Sequence, residues 1–451
     1  MSKMPNYVST TNACKLCKPL GASLAFRGIE GAVPFLHGSQ GCATYMRRYI
    51  ISHFNEPIDI ASSSLGEKHA VYGGAANLKM GLKNVTAKYK PQLIGVATTC
   101  LTETIGDDVK MILAEYKDEF HTGIDDPLII SVSTPSYSGT HMEGFTTALK
   151  GVVEQLANGG ETQDTVNLLP GFISAADLRY VKEMLHDFGI TATVLPDYSE
   201  TLDGEALNEY PLIPKGGTPL SSIRNMGRAK LTIECGRTLP GETAGSQLLN
   251  RFSVPLTQVG LPIGIRETDR FMDVLAGAAG IEMPEKYRSA RGRLVDAMVD
   301  GHKYIFGKRA VVYGEEDLVV GLTAFLAEIG IKPVLCASGG KSGKMEQSIA
   351  SVLDGLGCEM PEVHENVDFY DIEERAAGLD LDLLVGHSKG YSFARRQNIP
   401  LIRVGFPIHD RIGGQRLLHI GYHGAQQLFD TITNTIIAKK QDDSEVGYSY
   451  M

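Results

Sequence analysis

The run Leu93-Ile-Gly-Val-Ala-Thr-Thr-Cys100 is the stretch that decides the fold. It is short, apolar and rich in strand-forming residues, which is typical of a buried strand in a parallel sheet. A helix is predicted before it, from Ala70 to about Tyr89. The segment after it predicts another helix, with Asp107 and Asp108 in the first turn and apolar residues at helical spacing, namely Val109, Ile112 and Leu113, and a second strand-like run begins at Leu128. This order of strand, helix and strand predicts a β-α-β unit with its polar residues in the loops.

The β-α-β pattern recurs twice along the chain. In the second unit a helix begins after Ser174, with Asp177 placed for a capping box, and ends at Gly189. In the third unit the strand Ala310-Val-Val-Tyr313 precedes a helix that ends at Gly330. The sequence therefore predicts an α/β fold of three doubly wound Rossmann-like domains, with parallel sheets around a shared cleft. We place the boundaries in the polar, glycine-containing segments 158–164 and 300–303, which gives domains 1–160, 161–300 and 301–451.

Composition agrees with a large globular protein and excludes several classes. A chain of 451 residues is long enough for about three domains. The formal net charge of -10, without a basic block, argues against a nucleic-acid partner. No apolar run reaches the roughly 18 residues that a membrane span needs. The polar residues 1–6 predict no signal peptide, so we expect a cytoplasmic protein.

Three of the seven cysteines stand out. Thiols stay reduced in the cytoplasm, which favours metal ligands or buried thiols over disulfides. Cys17, Cys42 and Cys100 each lie where an apolar segment meets a turn, so their thiols are expected to project into a shared space, as cluster ligands do. Free cysteines are also common as small buried hydrophobes, and the residues alone leave both interpretations open. The glycine at Gly41 favours the metal, because it lets the backbone approach a bulky group.

The remaining candidates have weaker patterns. Ser136, at the end of a strand, has a hydroxyl that could ligate a metal, but the residues alone favour an N-cap for the next helix. Cys235 and Cys336 lie at predicted strand ends and are interpreted as core thiols, whereas Cys14 and Cys358 have no flanking signature.

Common cofactor motifs are missing from the sequence. His37, His387 and His409 lie near predicted strand ends, but none of them has a partner at His-x-x-x-His spacing, which argues against zinc. Residues 338–344 are rich in glycine and lysine but depart from the phosphate-loop pattern, so we interpret them as an exposed loop and assign any ATP chemistry to a partner. No Gly-x-Gly-x-x-Gly opens a helix after a strand, which argues against a nicotinamide-dependent dehydrogenase.

Seven motifs spread over nearly the whole chain carry a family resemblance. They are Cys17-x-Pro-x-Gly-Ala, His37-Gly-Ser-Gln-Gly-Cys42, Ser52-His-Phe-x-Glu-Pro57, Thr98-Thr-Cys-x-x-Glu-x-x-Gly-Asp-Asp108, Thr134-Pro-Ser-Tyr-x-Gly-x-His141, Gly260-Leu-Pro-Ile-Gly264 and Gly405-Phe-Pro-x-x-Asp-Arg411. Together they resemble the β-type subunit of the nitrogenase component 1 family. That family includes molybdenum–iron protein β chains, the β-type half of the cofactor-assembly scaffold and nitrogenase-like reductases.

The resemblance implies a shared iron–sulfur site. Cys17, Cys42 and Cys100 would be this chain's ligands to an [8Fe-7S] P-type cluster, which a homologous α-type subunit completes in an α2β2 heterotetramer. Ser136 falls on the position of a serine that binds the oxidised cluster.

The resemblance also implies the route of the electrons. Tyr45 matches a tyrosine beside the cluster, and Tyr72 matches an aromatic residue on the surface where an ATP-hydrolysing iron protein docks. Electrons would pass from that protein through the cluster to a cofactor in the α-type subunit. This chain would be an oxidoreductase subunit for nitrogen fixation with no catalytic residue of its own, and the α-type subunit would select the substrate.

Two alternatives follow from the sequence. The short N-terminus and the residues that flank Cys17 and Cys42 are similar to the β-type half of the iron–molybdenum cofactor assembly scaffold, which holds a [4Fe-4S] cluster in many members. A third interpretation, from another class, is a metal-free α/β binding protein with buried thiols.

Overall fold

The computed structural model describes residues 12–120 and 126–447, and three parallel sheets organise them. The polar residues 1–6, on which the absence of a signal peptide was predicted, lie outside the described part of the chain. Within that part, none of the helices has the length and apolar character needed to cross a membrane.

The first sheet has the strand order β2-β1-β3-β4, and all of its strands run parallel. Its strands and helices are α1 (Lys18–Arg27), β1 (Ala32–His37), α2 (Gln40–Phe54), β2 (Ala61–Ser62), α3 (His69–Tyr72), α4 (Ala75–Tyr89), β3 (Leu93–Thr98), α5 (Cys100–Ile105), α6 (Val109–Phe120), β4 (Leu128–Val132) and α7 (His141–Leu156). Every residue of β3 is buried, which confirms the buried parallel strand expected at Leu93.

The second sheet has the order β6-β5-β7-β8 and is also parallel. Its strands and helices are β5 (Gly159–Leu169), α8 (Ala175–Asp187), β6 (Ala192–Val194), α9 (Leu220–Asn225), β7 (Gly227–Cys235), α10 (Ala244–Phe252), β8 (Leu256–Val259), α11 (Arg266–Ala279) and α12 (Glu285–Ile305). The predicted capping box of α8 is present, because the Asp177 amide donates to Ser174 Oγ at 2.9 Å and the Ser174 amide donates to the Asp177 carboxylate at 3.1 Å.

The third sheet has the order β11-β10-β9-β12-β13, again parallel. Its strands and helices are β9 (Arg309–Gly314), α13 (Glu316–Glu328), β10 (Lys332–Ser338), α14 (Met345–Leu353), β11 (Glu362–His364), α15 (Phe369–Ala376), β12 (Leu383–Gly386), α16 (Tyr391–Gln397), β13 (Leu401–Arg403) and α17 (Gly421–Asp442). Three parallel α/β sheets confirm the predicted fold class.

Both segments expected to be linkers belong to regular elements instead. Residues 159–164 form the first half of β5, whose polar side chains are exposed because this end extends beyond the covered part of the sheet. Residues 300–303 lie inside α12. Gly301 is there for packing rather than for a turn, since a Cβ on it would lie 2.5 Å from the ring of Phe429. The domain boundaries themselves stay a prediction.

The helix expected between Ala70 and Tyr89 is broken into α3 and α4. Gly73 has φ +78°, which favours glycine, and the Gly74 amide donates to both carboxylate oxygens of Asp107, at 3.1 and 3.0 Å. Asp107 was expected in the first turn of a helix, but α6 begins two residues later. Its carboxylate accepts from His37 Nε2 at 3.1 Å instead, so it joins the end of β1 to the α3–α4 break.

Helices α1 and α7 approach until their backbones touch. A Cβ on Gly21 would lie 1.7 Å from the carbonyl oxygen of His141, and one on Gly144 would lie 1.8 Å from that of Lys18. Only glycine leaves room for such an approach. The His141 amide donates to the carbonyl of Leu16 at 3.0 Å, which fixes the residues before α1 against the start of α7.

We expect Gly21→Ala to destabilise the protein by about 3 kcal/mol or more, because the new methyl group meets backbone that cannot move aside. Gly292→Ala is the matched control, since Gly292 is exposed in the middle of α12 with nothing within 4 Å of the added carbon. Gly292→Ala should leave the free energy of unfolding unchanged or raise it by up to about 1 kcal/mol. Thermal unfolding of the full-length variants measures both, and equal midpoints would contradict the packing argument.

Candidate metal centre at the edge of the first sheet

Three neighbouring strands deliver the candidate ligands to one edge of the first sheet. Because β1, β3 and β4 are parallel and adjacent, their carboxyl ends lie together. Cys42 lies in the first turn of α2, which follows β1, and Cys100 is the first residue of α5, which follows β3. Ser136 begins a short 3₁₀ turn after β4, and Cys17 directly precedes α1.

Hydrogen bonds join these residues across the sequence. The Ser136 amide donates to Cys100 Sγ at 3.2 Å, and the Lys18 amide donates to Ser136 Oγ at 3.2 Å. A backbone bridge pairs Cys17 with Thr140 in the loop that also carries Ser136. The Ser39 hydroxyl donates to Cys42 Sγ at 3.3 Å. The structure therefore brings together the three cysteines and the serine singled out in the sequence, although their role as ligands stays a prediction.

The thiols repel one another when ionised. Burial raises the pKa of Cys17, the hydrogen bond with Ser136 lowers it, and the negative charges of Cys100 and Cys42 raise it further. Three thiolates in this space therefore need a positive counter-charge. A bound metal group supplies such a charge and takes thiolates as its ligands.

The donor set fits a group larger than a single ion. The three cysteines are unpaired and half-buried, as cluster ligands must be before the cluster binds. Across residues 12–120 and 126–447, no three His, Cys, Asp or Glu side chains converge closely enough to hold one metal ion. The iron atoms of an iron–sulfur cluster each take their own thiolate, so the ligands of a cluster need not converge on one point.

Ser136 is not the N-cap that the sequence favoured. Thr140 caps α7 instead: its Oγ1 accepts from the Met142 amide at 3.1 Å, and its own amide donates to the Glu143 carboxylate at 2.8 Å. The turn after β4 is four residues longer than the sequence interpretation allowed. Ser136 is thus released from capping and points its hydroxyl toward the residues around Cys17.

Tyr45 is connected to the surroundings of the thiols by a hydrogen bond with a second tyrosine, Tyr49. The hydroxyl groups of Tyr45 and Tyr49 lie 2.9 Å apart, one helical turn from each other on α2. Burial first, and then the contact with Tyr45, raises the pKa of Tyr49 to about 12, and the charge of Cys17 adds to this shift. Tyr49 is therefore close enough to Cys17 for the two groups to interact electrostatically, whereas Tyr45 is half-exposed.

Lys389 is a site residue that the sequence interpretation missed. It follows β12 in the third sheet, and its Nζ donates to the carbonyl of Ala13 at 2.8 Å and lies 5.6 Å from the ring centre of Tyr49. Burial lowers the pKa of Lys389, whereas the charges of Cys14 and Cys17 raise it. The signal for it in the sequence is its position just after the strand Leu383–Gly386, at the carboxyl end of a parallel strand.

The other cysteines are in different surroundings. Cys14 is buried with its Sγ 3.8 Å from His387 Nε2, and burial raises its pKa to about 12. Cys235 and Cys336 are buried, as expected of core thiols. Cys358 is half-buried near the third sheet.

Tyr72 stands out from the surface at the same end of the first sheet. It ends α3, which packs against α5, the helix that begins with Cys100. Its exposed fraction is 86%, and that of the adjacent Val71 is 78%. An exposed apolar pair beside a buried site marks a candidate docking surface.

The glycine- and lysine-rich loop after β10 already has acceptors for its amides. The Ser342 amide donates to Glu316 at 3.0 Å, and the amides of Gly343 and Met345 donate to the Glu365 carboxylate at 2.8 and 3.1 Å. Carboxylates thus occupy the positions that a bound phosphate would need. The assignment of any ATP chemistry to a partner stays a prediction.

Known proteins resemble this chain over nearly its whole length. The family profile described as nitrogenase component 1 type oxidoreductase matches residues 17–437. A nitrogenase molybdenum-iron protein beta chain from Clostridium pasteurianum is 36% identical over 429 residues, covering 95% of this chain and 93% of that protein. A nitrogenase molybdenum-iron protein beta chain from Methanothermobacter thermautotrophicus is 35% identical over 435 residues, covering 94% of each.

Solved structures agree. A chain titled nitrogenase Cp1 at pH 6.5 superposes with a TM-score of 0.95 at 34% identity, covering 100% of this chain and 98% of that one. A chain titled nitrogenase Cp1 at pH 5 has a TM-score of 0.71 at 15% identity, which shows a likeness of fold alone.

If the three cysteines hold a metal group, their thiols will be protected until that group is removed. After treatment with an iron chelator and a reductant, we expect alkylation at least roughly tenfold faster than before, read by mass spectrometry at Cys17, Cys42 and Cys100. Cys358 is the matched control, because it is half-buried outside the site and should react equally before and after. Equal rates at all four cysteines would contradict the ligand assignment.

Proposed function

Because this chain belongs to the nitrogenase component 1 type oxidoreductase family, we propose that it relays electrons inside a two-subunit reductase. It is a β-type subunit of component 1, like the beta chains that it resembles. The observation that carries the proposal is the set of three half-buried thiols and one serine hydroxyl at the carboxyl edge of the first sheet. We further propose that its complex fixes nitrogen, the activity in the names of those relatives.

Cys17, Cys42 and Cys100 would hold one half of a P-type [8Fe-7S] cluster. When bound, the cluster would supply electron transfer in single steps. Three thiolates from one chain leave the second half without ligands, which supports completion by a homologous α-type subunit in an α2β2 heterotetramer. The half-buried state of the thiols is what an interface at this edge would require.

Residues around the thiols would adjust the electrostatics of the site. The Ser136 amide donates to Cys100 Sγ, and the Ser39 hydroxyl donates to Cys42 Sγ. Hydrogen bonds to cluster sulfurs stabilise the more negative state and so raise the reduction potential. The ammonium group of Lys389 adds positive charge on the side of Cys17.

Ser136 has a second role in the proposal. Its hydroxyl is within hydrogen-bonding reach of the Cys17 thiol and also accepts from the Lys18 amide. A hydroxyl in this position can exchange one hydrogen bond for a bond to iron with little movement of the backbone. We propose that it ligates the oxidised cluster, as the serine at this position does in the resembled family.

The surface around α3 would receive the electron donor. Tyr72 and Val71 are exposed and lie on the helix that packs against α5, so a protein bound there would be near Cys100. We propose that this partner is an ATP-hydrolysing iron protein. Tyr45, half-exposed above Tyr49, would lie beside the cluster on the side of α2.

Substrate chemistry would take place in the α-type subunit. In this proposal the present chain holds no catalytic residue, and its part is to bind the cluster, shield it from water and present it to both partners. A cofactor-assembly scaffold with a [4Fe-4S] cluster would use the same fold. No contact in the described residues favours that alternative over the reductase, so the turnover measurement below separates them.

Removal of one ligand should damage the cluster while the fold remains. We expect Cys42→Ala, in the complex purified with its α-type partner, to lose at least half of the iron bound at this interface and the electron paramagnetic resonance signal of the oxidised cluster. Cys358→Ala is the matched control, because that thiol is half-buried and lies outside the site. A Cys42→Ala complex with full iron content and an unchanged signal would refute the proposed ligand set.

Turnover tests both the docking surface and the assignment as a reductase. With an iron protein and MgATP, the complex should reduce substrate, and Tyr72→Ala should slow turnover about tenfold without changing the cluster signal, because apolar contact area is lost. Tyr210→Ala, which truncates a tyrosine that is 65% exposed elsewhere, should have little effect. A complex that donates cofactor to an apo-reductase but reduces no substrate would instead identify the scaffold.

A further inference from the structure

A small cavity, partly open to solvent, lies between α2 of the first sheet and segments that follow strands of the second and third sheets. Its volume is about 40 Å³, enough for one to about three water-sized molecules. It is lined by His53 from α2, by Asp177 from α8 and by Glu315, which directly follows β9. His419, just before α17, lines it as well, and none of the described residues in its wall is lysine or arginine.

Two buried hydrogen-bond acceptors in this wall have no partner. Glu315 Oε1 accepts from His141 Nε2 at 3.1 Å, but Glu315 Oε2 accepts from nothing. Oε2 faces the cavity wall at Gly405, where an added Cβ would lie 2.9 Å from it. His419 Nδ1 donates to Asp177 at 3.2 Å and His419 Nε2 has no partner, so in the neutral ring the lone pair of Nε2 is a second acceptor without a donor.

The cavity wall also contains two carboxylates, of Asp177 and Glu315, and its described lining holds no lysine or arginine. Burial raises the pKa of Glu315, but the hydrogen bond from His141 and the attraction of His141 and His387 outweigh it and hold the pKa below its ordinary value. Burial lowers the pKa of His53 to about 3, so this ring is neutral, and its Nδ1 accepts from the Ile408 amide at 2.9 Å. A buried carboxylate oxygen without a donor is costly, and a positively charged donor would relieve this cost.

Aromatic rings form part of the remaining wall, together with aliphatic side chains. Phe406 lies 5.6 Å from Phe172 and 4.9 Å from His53, measured between ring centres, and Phe54 completes the group. Such rings attract a small cation through their faces and do not compete for its hydrogen bonds.

We propose that this cavity binds a small protonated amine, with the ammonium ion as the best-fitting example. The N–H groups of ammonium would donate to Glu315 Oε2 and His419 Nε2, and its charge would neutralise the carboxylate. Water supplies donors but no charge. A bare metal ion fits less well, since no three His, Cys, Asp or Glu side chains in residues 12–120 and 126–447 are placed to hold one.

A cation series on the intact complex tests the proposal. At constant ionic strength, ammonium and methylammonium chloride should raise the unfolding midpoint in a saturable way, because a ligand that binds only the folded state stabilises it. Sodium should not raise the midpoint. Tetramethylammonium should not raise it either, because this ion has no N–H group and is larger than the cavity. If ammonium stabilises no more than sodium does, the cavity holds only water and the proposal is wrong.

Variants locate the effect. In Glu315→Gln, which keeps the shape and removes the charge, the ammonium dissociation constant measured by calorimetry should rise at least tenfold. Glu316→Gln is the matched control, because this neighbouring carboxylate bonds the Ser342 amide outside the cavity. If the ammonium dissociation constant rises equally in both variants, or rises in neither, the assignment of the amine to this cavity is wrong. If Glu315→Gln does not fold, the cation series on the unaltered complex still decides.

Discussion

The backbone contact between α1 and α7 is the constraint on which the proposed site depends. Gly21 and Gly144 let the two helices approach to a distance at which any side chain would overlap a carbonyl oxygen. This contact places Cys17, at the start of α1, against the loop between β4 and α7 that carries Ser136. Because α1 precedes the sheet in the chain, the order of the strands does not by itself bring Cys17 to the thiols at the ends of β1 and β3. The contact between α1 and α7 does so.

The start of α7 also connects the first sheet to the third. His141 donates to Glu315, which follows β9, and its amide bonds the segment before α1. Lys389, after β12, reaches the same segment through the carbonyl of Ala13. The carboxyl edges of two sheets thus meet around residues 13–17. The cavity beside Glu315 lies where these two edges meet. The proposed cluster site and the proposed amine site are therefore formed by the same contact between sheets.

Much of the fold follows from the sequence, because local rules govern it. The buried strand at Leu93, the capping box at Ser174 and the helix that ends at Gly330 all depend on neighbouring residues, and the structure contains each of them. The errors arose where distant residues intervene. Asp107 breaks the helix expected from Ala70 to Tyr89, and Phe429 explains Gly301 inside a helix that the sequence interpretation had read as a linker.

The sequence by itself determined the fold class, the family and the identity of the candidate thiols, because strand periodicity, turn residues and motif spacing are properties of the chain in order. Only the tertiary structure decided that Thr140 rather than Ser136 caps α7, that Lys389 lies beside Cys17, and that Glu315 and His419 each keep an unsatisfied acceptor in one cavity. Two of these findings concern residues more than a hundred positions apart in the chain, and one concerns a choice between two candidate caps. Such pairings are settled by packing, since hydrogen bonds and charges act over distance in space and not along the sequence.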